Sequence, residues 1–533
     1  MENVLIVGLD GATWRLLAPW ARAGRLPNLA ALMGRGAWGP LRSTVPALTL
    51  PAWSSFMTGK NPGGHGIFSF RRLLSDRYES GGLASAADLR SATLWDIVGR
   101  AGKRVGAISV PPSYPIRPVN GFVVGCMLTP PGERFTDPPE LAAELPDFQT
   151  DLKAPRGLKR DAPDYLARAL PYLDGLVAQT RQRADACLRL MRHPWDLLCV
   201  VFYAPDRVQH CFWPTVERLG DGAPEDGRVK DGVARVYAAL DEALGRLVAA
   251  APDATVILVS DHGFAPKPER AVHVNSWLAA QGLLRERPFW RARRRVMRKL
   301  VPRARRARYD TVDHMVDMAK SRAWAQTLEP GTAGIWVNVA GRYPLGCVGE
   351  GGEYEAVRSR IAEGLGALRD EQGRRVFRGV HRREDLYHGP FVGEAPDLLA
   401  VCEEHSGVIY ESVRRDLRAG TVFGPFDELG FTGAHHPEGL YLFAGPAIAA
   451  AGAHREYPIE SIAPTALHLL GLPVPRAMDG PVCTSLLREE FLATRPVRFS
   501  DDDGVVPPPV AGWKSADDEA LVADRLRALG YLE

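Results

Sequence analysis

Asn3-Val4-Leu5-Ile6-Val7-Gly8-Leu9 runs directly into Asp10-Gly11. The run carries no charge and does not alternate between apolar and polar side chains. That pattern suits a short strand buried on both faces, as in a parallel sheet covered by helices. Similar runs recur at 104–110, 122–127, 196–203 and 254–260, and stretches with helical spacing lie at 93–101, 176–192 and 229–250. Strands alternating with helices in this way predict an α/β fold with a mostly parallel sheet sandwiched by helices.

Beyond residue 284 the composition changes. Twelve basic residues fall between Arg285 and Arg308, interleaved with Phe289, Trp290 and Val296. The alternation resumes at 332–430, with strands expected at 334–338 and 397–401 and a helix at 354–369. One more core strand is expected at 440–445. An Asp- and Pro-rich stretch at 495–513 has linker composition, and 516–530 has the pattern of a short amphipathic helix. These boundaries divide the chain into a core at 1–275 and 431–490, an inserted smaller α/β cap at 276–430, and a tail at 491–533.

Over the 533 residues, 46% are hydrophobic, 24% are charged and the formal net charge is +3. A balance this small gives no global field for a nucleic-acid partner, which is not expected. The basic stretch 285–308 is read first as a solvated helical hairpin, with attachment to an anionic membrane surface as its functional alternative. The seven cysteines (126, 187, 199, 211, 347, 402 and 483) are odd in number and form no CxxC pair. A disulfide framework or a cysteine zinc site is therefore not expected. No signal-like segment and no apolar run of about 18 residues appears. Together these predict a cytoplasmic protein; its oligomeric state is not legible.

The residues that carry chemistry sit at strand ends, where open α/β sheets present their ligands. Asp10 ends the first run. Asp206 and His210 follow the strand at 196–203, in Tyr203-Ala-Pro-Asp206-Arg-Val-Gln-His210, and share one helix face at a spacing of four. Asp261 and His262 follow the strand at 254–260. His435 and His436 lie in Phe431-Thr-Gly-Ala-His435-His436-Pro, just before the last strand. Each motif alone is weak, because an Asp after a strand is commonly a turn or cap residue. Four such sites together suit a metal centre, and mixed oxygen and nitrogen ligands favour zinc, manganese or iron over magnesium. Thr49 lies in Thr44-Val-Pro-Ala-Leu-Thr49-Leu-Pro51, with Pro51 placed for the first turn of a helix. Its hydroxyl is either a plain cap or a nucleophile in an anion-binding position.

These motifs resemble the alkaline phosphatase superfamily, in particular its nucleotide pyrophosphatase/phosphodiesterase branch. The resemblance runs through most of the chain in the same order. It implies an alkaline-phosphatase-like core and two divalent metal ions, zinc or manganese. Asp206, His210 and His435 would hold one ion; Asp10, Asp261, His262 and the Thr49 oxygen would hold the other. His435 is favoured over His436 by its spacing, with His436 as a substitute. The implied activity is hydrolysis of a small phosphate ester, diester or monoester, through a phosphothreonine on Thr49. A phosphotransferase or phosphomutase using the same site is the alternative, and a non-catalytic metal-binding protein at an anionic membrane is a third reading. One departure stands out: the branch has Asn after the proline of its Thr-x-Pro motif, and this chain has Ala52-Trp53. Asn275, Asn338 and His273 are candidate substrate contacts that are more readily explained as structural, and His65 reads as a turn residue of a Gly-rich loop.

Overall fold

The strands of the core are β1 (Val4–Leu9), β2 (Ala37–Arg42), β3 (Val105–Ile108), β4 (Gly121–Val124), β5 (Thr136–Asp137), β6 (Leu197–Phe202) and β7 (Thr255–Val259), followed by β8 (Gly263–Pro266). The computed structural model describes residues 3–533 except 74–75, 77, 79–80, 220–226, 289, 291–295, 297–311, 405, 412, 414–421, 425–430, 450–451, 504–511, 529–530 and 532–533.

Among the described residues the main sheet has ten strands. Its order is Gly452–Ala453, β2, Glu438–Ala444, β7, β1, β6, β3, β4, β5, with Tyr457–Pro458 beside β2. The five strands from β7 to β4 are parallel. The expected last strand joins as Glu438–Ala444 and runs antiparallel to both β7 and β2. β2 was not foreseen: its Ala-Trp-Gly-Pro-Leu-Arg sequence is broken by Gly39 and Pro40, which speak against a strand but fall in the gap between its short partners Gly452–Ala453 and Tyr457–Pro458.

β1 is buried along its whole length. Its register places Leu9 beside Phe202 and Gly8 beside Val259, so the carboxyl ends of β1, β6 and β7 lie side by side. Asp10, Asp206 and Asp261 emerge there. Gly8 is required by close approach: a Cβ would stand 2.6 Å from Trp53 Cη2 and 2.8 Å from Val201 Cγ2.

Helices Tyr165–Leu190 and Gly227–Ala250 pack on each other, with Gly232 against Leu173. The first starts eleven residues earlier than the sequence pattern predicts. Pro171 and Gly175 read as breakers, yet the helix continues through them, and Gly175 faces Leu152 closely enough that a side chain would crowd it.

The chain divides into two compact units. The first holds Met1–Phe70, Leu83–Pro266 and Leu429–Gly530; the second holds Arg71–Gly82, Lys267–Glu428 and Tyr531–Glu533. The second unit starts at Lys267 because Ala271–Val272 pairs with Val408–Ile409 and Phe423–Gly424. Its four-stranded sheet runs Ala323–Glu329, Thr332–Val337, Leu398–Cys402, Phe377–Arg382, antiparallel throughout. Helix Gly352–Gly366 packs on that sheet and buries Val357, Ile361 and Leu365. Most of the basic stretch 285–308, with its expected role at anionic membranes, lies outside the described residues. No helix among the described residues is long and apolar enough to cross a membrane.

Candidate active site

The structure brings Asp10, Thr49, Asp206, His210, Asp261, His262 and His435 together in the first unit, all buried or nearly so. Three arrive from the aligned ends of β1, β6 and β7. Asp206 and His210 sit in the first two turns of helix Ala204–Glu217, with Asp206 Oδ1 3.3 Å from His210 Nε2. His435 arrives on strand Gly433–His436, which pairs antiparallel with β8 and sets His435 opposite Phe264. β8 begins one residue after His262, so one ribbon delivers both imidazoles, whose rings stack at 3.8 Å between centroids.

Hydrogen bonds fix the ring tautomers. His435 Nδ1 lies 3.0 Å from the Ala47 carbonyl and His262 Nδ1 lies 3.1 Å from the Gly263 carbonyl. A carbonyl only accepts, so each Nδ1 carries a proton, which in a neutral ring leaves Nε2 as the lone-pair atom. That is the arrangement in which an imidazole ligates a cation. His262 Nε2 faces Thr49 Oγ1 at 3.4 Å, Asp261 Oδ2 at 3.3 Å and Asp10 Oδ1 at 3.8 Å. His435 Nε2 lies 3.1 Å from His210 Nε2 and 3.5 Å from Asp206 Oδ1.

Donor atoms of Asp206, His210 and His435 fall within 4.8 Å of one another, and so do those of Asp10, Asp206 and His262. Asp206 belongs to both groups. Asp10 Oδ1 and Asp261 Oδ2 are buried without a hydrogen-bond partner. Buried carboxylate oxygens in that condition are costly unless a cation meets them. The donor set therefore fits divalent ions at both groups.

Electrostatics point the same way. Burial pushes the Asp10 carboxyl well above its usual range, and the negative charge of Asp206 adds to the effect. Burial also raises Asp261, reinforced by Asp10. Burial acts upward on Asp206 too, but His210, His435 and Arg207 more than offset it and hold this carboxyl well below the usual range. Burial lowers the pKa values of His210 and His262, and His435 lowers His262 further. A site with three crowded carboxylates is built for positive charge.

Thr49 opens helix Thr49–Thr58, whose preceding residue, Leu48, supplies no side-chain cap. The threonine hydroxyl thus stands at an uncapped helix start, where backbone N–H groups and the dipole favour an anion.

Other sequence candidates lie elsewhere or are already engaged. His436 points away from the cluster, its Nδ1 accepting from the Glu438 N–H at 3.2 Å. His65 is fully buried, with Nδ1 accepting from the Ile67 N–H and Nε2 3.0 Å from Ser55 Oγ. Asn275 and Asn338, candidates for substrate contact, belong to the second unit and spend their amides on backbone. The Asn275 amide donates to the carbonyls of Ala325 and Glu411 and accepts from the Ala325 N–H. Asn338 donates to the carbonyls of Met318, Ser321 and Leu345 and accepts from Tyr78. His273 precedes helix Val274–Ala280 in the same unit.

Two contacts escape motif reading. Trp53, next to the Ala52 that stands where the resemblance calls for Asn, donates its indole N–H to Asp10 Oδ2 at 3.1 Å. Arg207 donates to Asp206 Oδ2 at 3.2 Å. A hydrogen-bonding side chain one residue after a ligand, or a few residues after a nucleophile, is the only sequence signal for either.

The model of the family "Type I phosphodiesterase / nucleotide pyrophosphatase" matches residues 4–427. No curated protein sequence matches the chain. Among solved structures, human ectonucleotide pyrophosphatase/phosphodiesterase 5 aligns over 92% of this chain and 100% of its own, at 15% identity and TM-score 0.50. The murine protein aligns over 91% and 100% at 15% identity and TM-score 0.49. Phosphonoacetate hydrolase from Sinorhizobium meliloti aligns over 84% and 92% at 17% identity and TM-score 0.48. At these identities the likeness is one of fold. The family match spans most of the chain, from the first strand through Asp10, Thr49, Asp206, His210, Asp261 and His262, and on that ground the protein belongs to the type I phosphodiesterase/nucleotide pyrophosphatase family.

Proposed function

We propose that this protein is a two-metal phosphate-ester hydrolase that works through a phosphothreonine on Thr49. The observation that carries the proposal is the position of Thr49 Oγ1, 3.4 Å from the lone pair of His262 Nε2 and at an uncapped helix start.

Asp206, His210 and His435 would hold one ion, and Asp10, Asp261, His262 and Thr49 the other. Zinc or manganese suits this mixture of carboxylate and imidazole. Bound ions would supply charge neutralisation for the phosphoryl oxygens and lower the pKa of the hydroxyl that attacks. Thr49 Oγ1 attacks phosphorus, its proton departs to solvent, and the alcohol of the ester leaves. Water then cleaves the phosphothreonine, returning the hydroxyl and releasing phosphate or a monoester. The Thr49 and Leu50 N–H groups at the start of helix Thr49–Thr58 stabilise the phosphoryl charge throughout; Pro51 has no N–H, and that of Ala52 is taken by the Leu48 carbonyl. Replacement of that water by an alcohol would make the same site a transferase. The seven cysteines are all unpaired, which supports a reducing compartment.

The test is metal analysis of the purified protein together with cleavage of a chromogenic phosphodiester and a chromogenic phosphomonoester. Activity that is lost to a chelator and restored by zinc or manganese is expected. Metal-loaded protein that cleaves neither ester, or chelated protein that keeps full activity, would overturn the proposal.

A further inference from the structure

Arg207 follows Asp206 in sequence and is as deeply buried, at 1% exposed. A guanidinium is tolerated in a core only when its charge is met in good geometry. Its Nη1 donates to Asp206 Oδ2 at 3.2 Å and its Nη2 donates to Asp151 Oδ1 at 3.1 Å. The Asp151 side chain is itself 1% exposed. Tyr203 lies below the guanidinium, its ring centroid 5.6 Å away. A planar fork held at two carboxylates and against a ring has little freedom left.

Asp151 lies outside any helix or strand, yet it is not loosely placed. The adjoining carbonyl of Thr150 accepts from Arg183 Nη2 at 3.3 Å. Arg183 is buried on helix Tyr165–Leu190 and stacks over the Tyr203 ring at 4.4 Å. The segment is therefore anchored to the same ring that backs Arg207.

Asp206 supplies an oxygen to both donor groups, so its orientation matters more than that of any other ligand. Arg207 meets Oδ2, and Oδ1 is left directed at His210 and His435, at 3.3 and 3.5 Å. We propose that Asp151 and Arg207 are positioning residues: Asp151 fixes the guanidinium, and the guanidinium fixes which face of the Asp206 carboxylate meets the metal ions. The proposal rests on the metal-site function given above.

Charge sharing sharpens the expectation. The Arg207 charge is divided between the Asp151 and Asp206 side chains, so Asp206 keeps negative charge for a cation. Asp151→Asn preserves shape but removes one carboxylate from this fork, so that Arg207 bears more heavily on Asp206 and competes with the ions. Partners outside the ligand shell typically change metal affinity about 10- to 100-fold.

The experiment is zinc titration of the metal-free full-length protein, without substrate, for the wild type, Asp151→Asn, Arg207→Gln, Arg207→Lys and the Asp151→Asn/Arg207→Gln double variant. Each single loss is expected to weaken zinc binding about 10-fold or more, with Arg207→Lys intermediate. The double variant is expected to bind no more weakly than Arg207→Gln alone, because a relay already broken cannot be broken again. A purely structural role would lower the unfolding midpoint of the metal-free protein, leave affinity unchanged and make the losses add. Wild-type affinity in Asp151→Asn, or additive losses, overturns the relay and leaves the hydrolase proposal intact. A wild type that binds no divalent ion overturns both. If Arg207→Gln fails to fold, Asp151→Asn in the Arg207→Lys background gives the same comparison.

Discussion

Trp53 donates its indole N–H to Asp10 Oδ2 at 3.1 Å, tying the helix that bears Thr49 to the carboxylate that ends the first strand. This bond lowers a carboxyl that burial and Asp206 both push up. Trp53→Phe removes the donor while keeping most of the ring. Asp10 should then hold its proton to higher pH, and ligation requires the carboxylate. The pH at which zinc binding is half complete should therefore move upward in the variant, read by titration across pH. An unmoved midpoint would separate Trp53 from metal binding.

Thr49→Ala should reduce turnover of either ester by about 10³-fold or more, as expected when a nucleophile is lost. Bound metal, read by elemental analysis, should change little, because the remaining ligands come from five other side chains and the His435 imidazole. Thr49→Ser keeps the hydroxyl and should retain measurable turnover. Full activity in Thr49→Ala would remove the phosphothreonine.

Gly8→Ala places a methyl group against Trp53 and Val201, at separations that force one of them to shift. Overpacking of this kind costs about 1–3 kcal/mol. The urea midpoint of the metal-free protein should fall accordingly. Zinc affinity should fall as well, since the displaced indole is the donor to Asp10. A variant with an unchanged midpoint would show that the interior gives way freely at β1.

His65 provides a prediction about acid. Burial, with Lys60 and Arg90 nearby, lowers its pKa from 6.5 to about 3. Below the unfolded value the denatured chain binds a proton that the native state refuses. Stability contributed by keeping this group neutral is full above about pH 6.5 and is lost as pH falls toward 3, at about 1.4 kcal/mol per unit. His65→Gln keeps a hydrogen-bonding side chain and removes the titration. Urea midpoints at pH 7 and pH 4 should differ more for the wild type than for the variant.

The parallel core was legible because β1, β3, β4, β6 and β7 are uninterrupted apolar runs, and no other common element needs so many in a row. β2 was not, since Gly39 and Pro40 disguise a strand as a turn. Helix Tyr165–Leu190 was seen only from residue 176, because Pro171 and Gly175 are tolerated by packing that sequence does not display. At the site, strand-end Asp and His residues could be picked out because loops after parallel strands converge. Asp151 could not: it follows no strand, belongs to no spacing, and meets Arg207 of helix Ala204–Glu217 only once the chain has folded. Asn275 and Asn338 show the opposite case. Sequence already favoured a structural role for both, and the backbone carbonyls that take their amides identify what that role is.

The twin histidines that end strand Gly433–His436 have a consequence for fidelity of assembly. Neighbouring residues of a strand face opposite sides, so the pairing of Gly433–His436 with β8 decides which imidazole enters the cluster. A slip of one residue in one direction would put Ala434 there and leave a gap among the ligands. A slip in the other direction would deliver His436, an equivalent ring, so half of the nearest misalignments still end in a complete set of nitrogens.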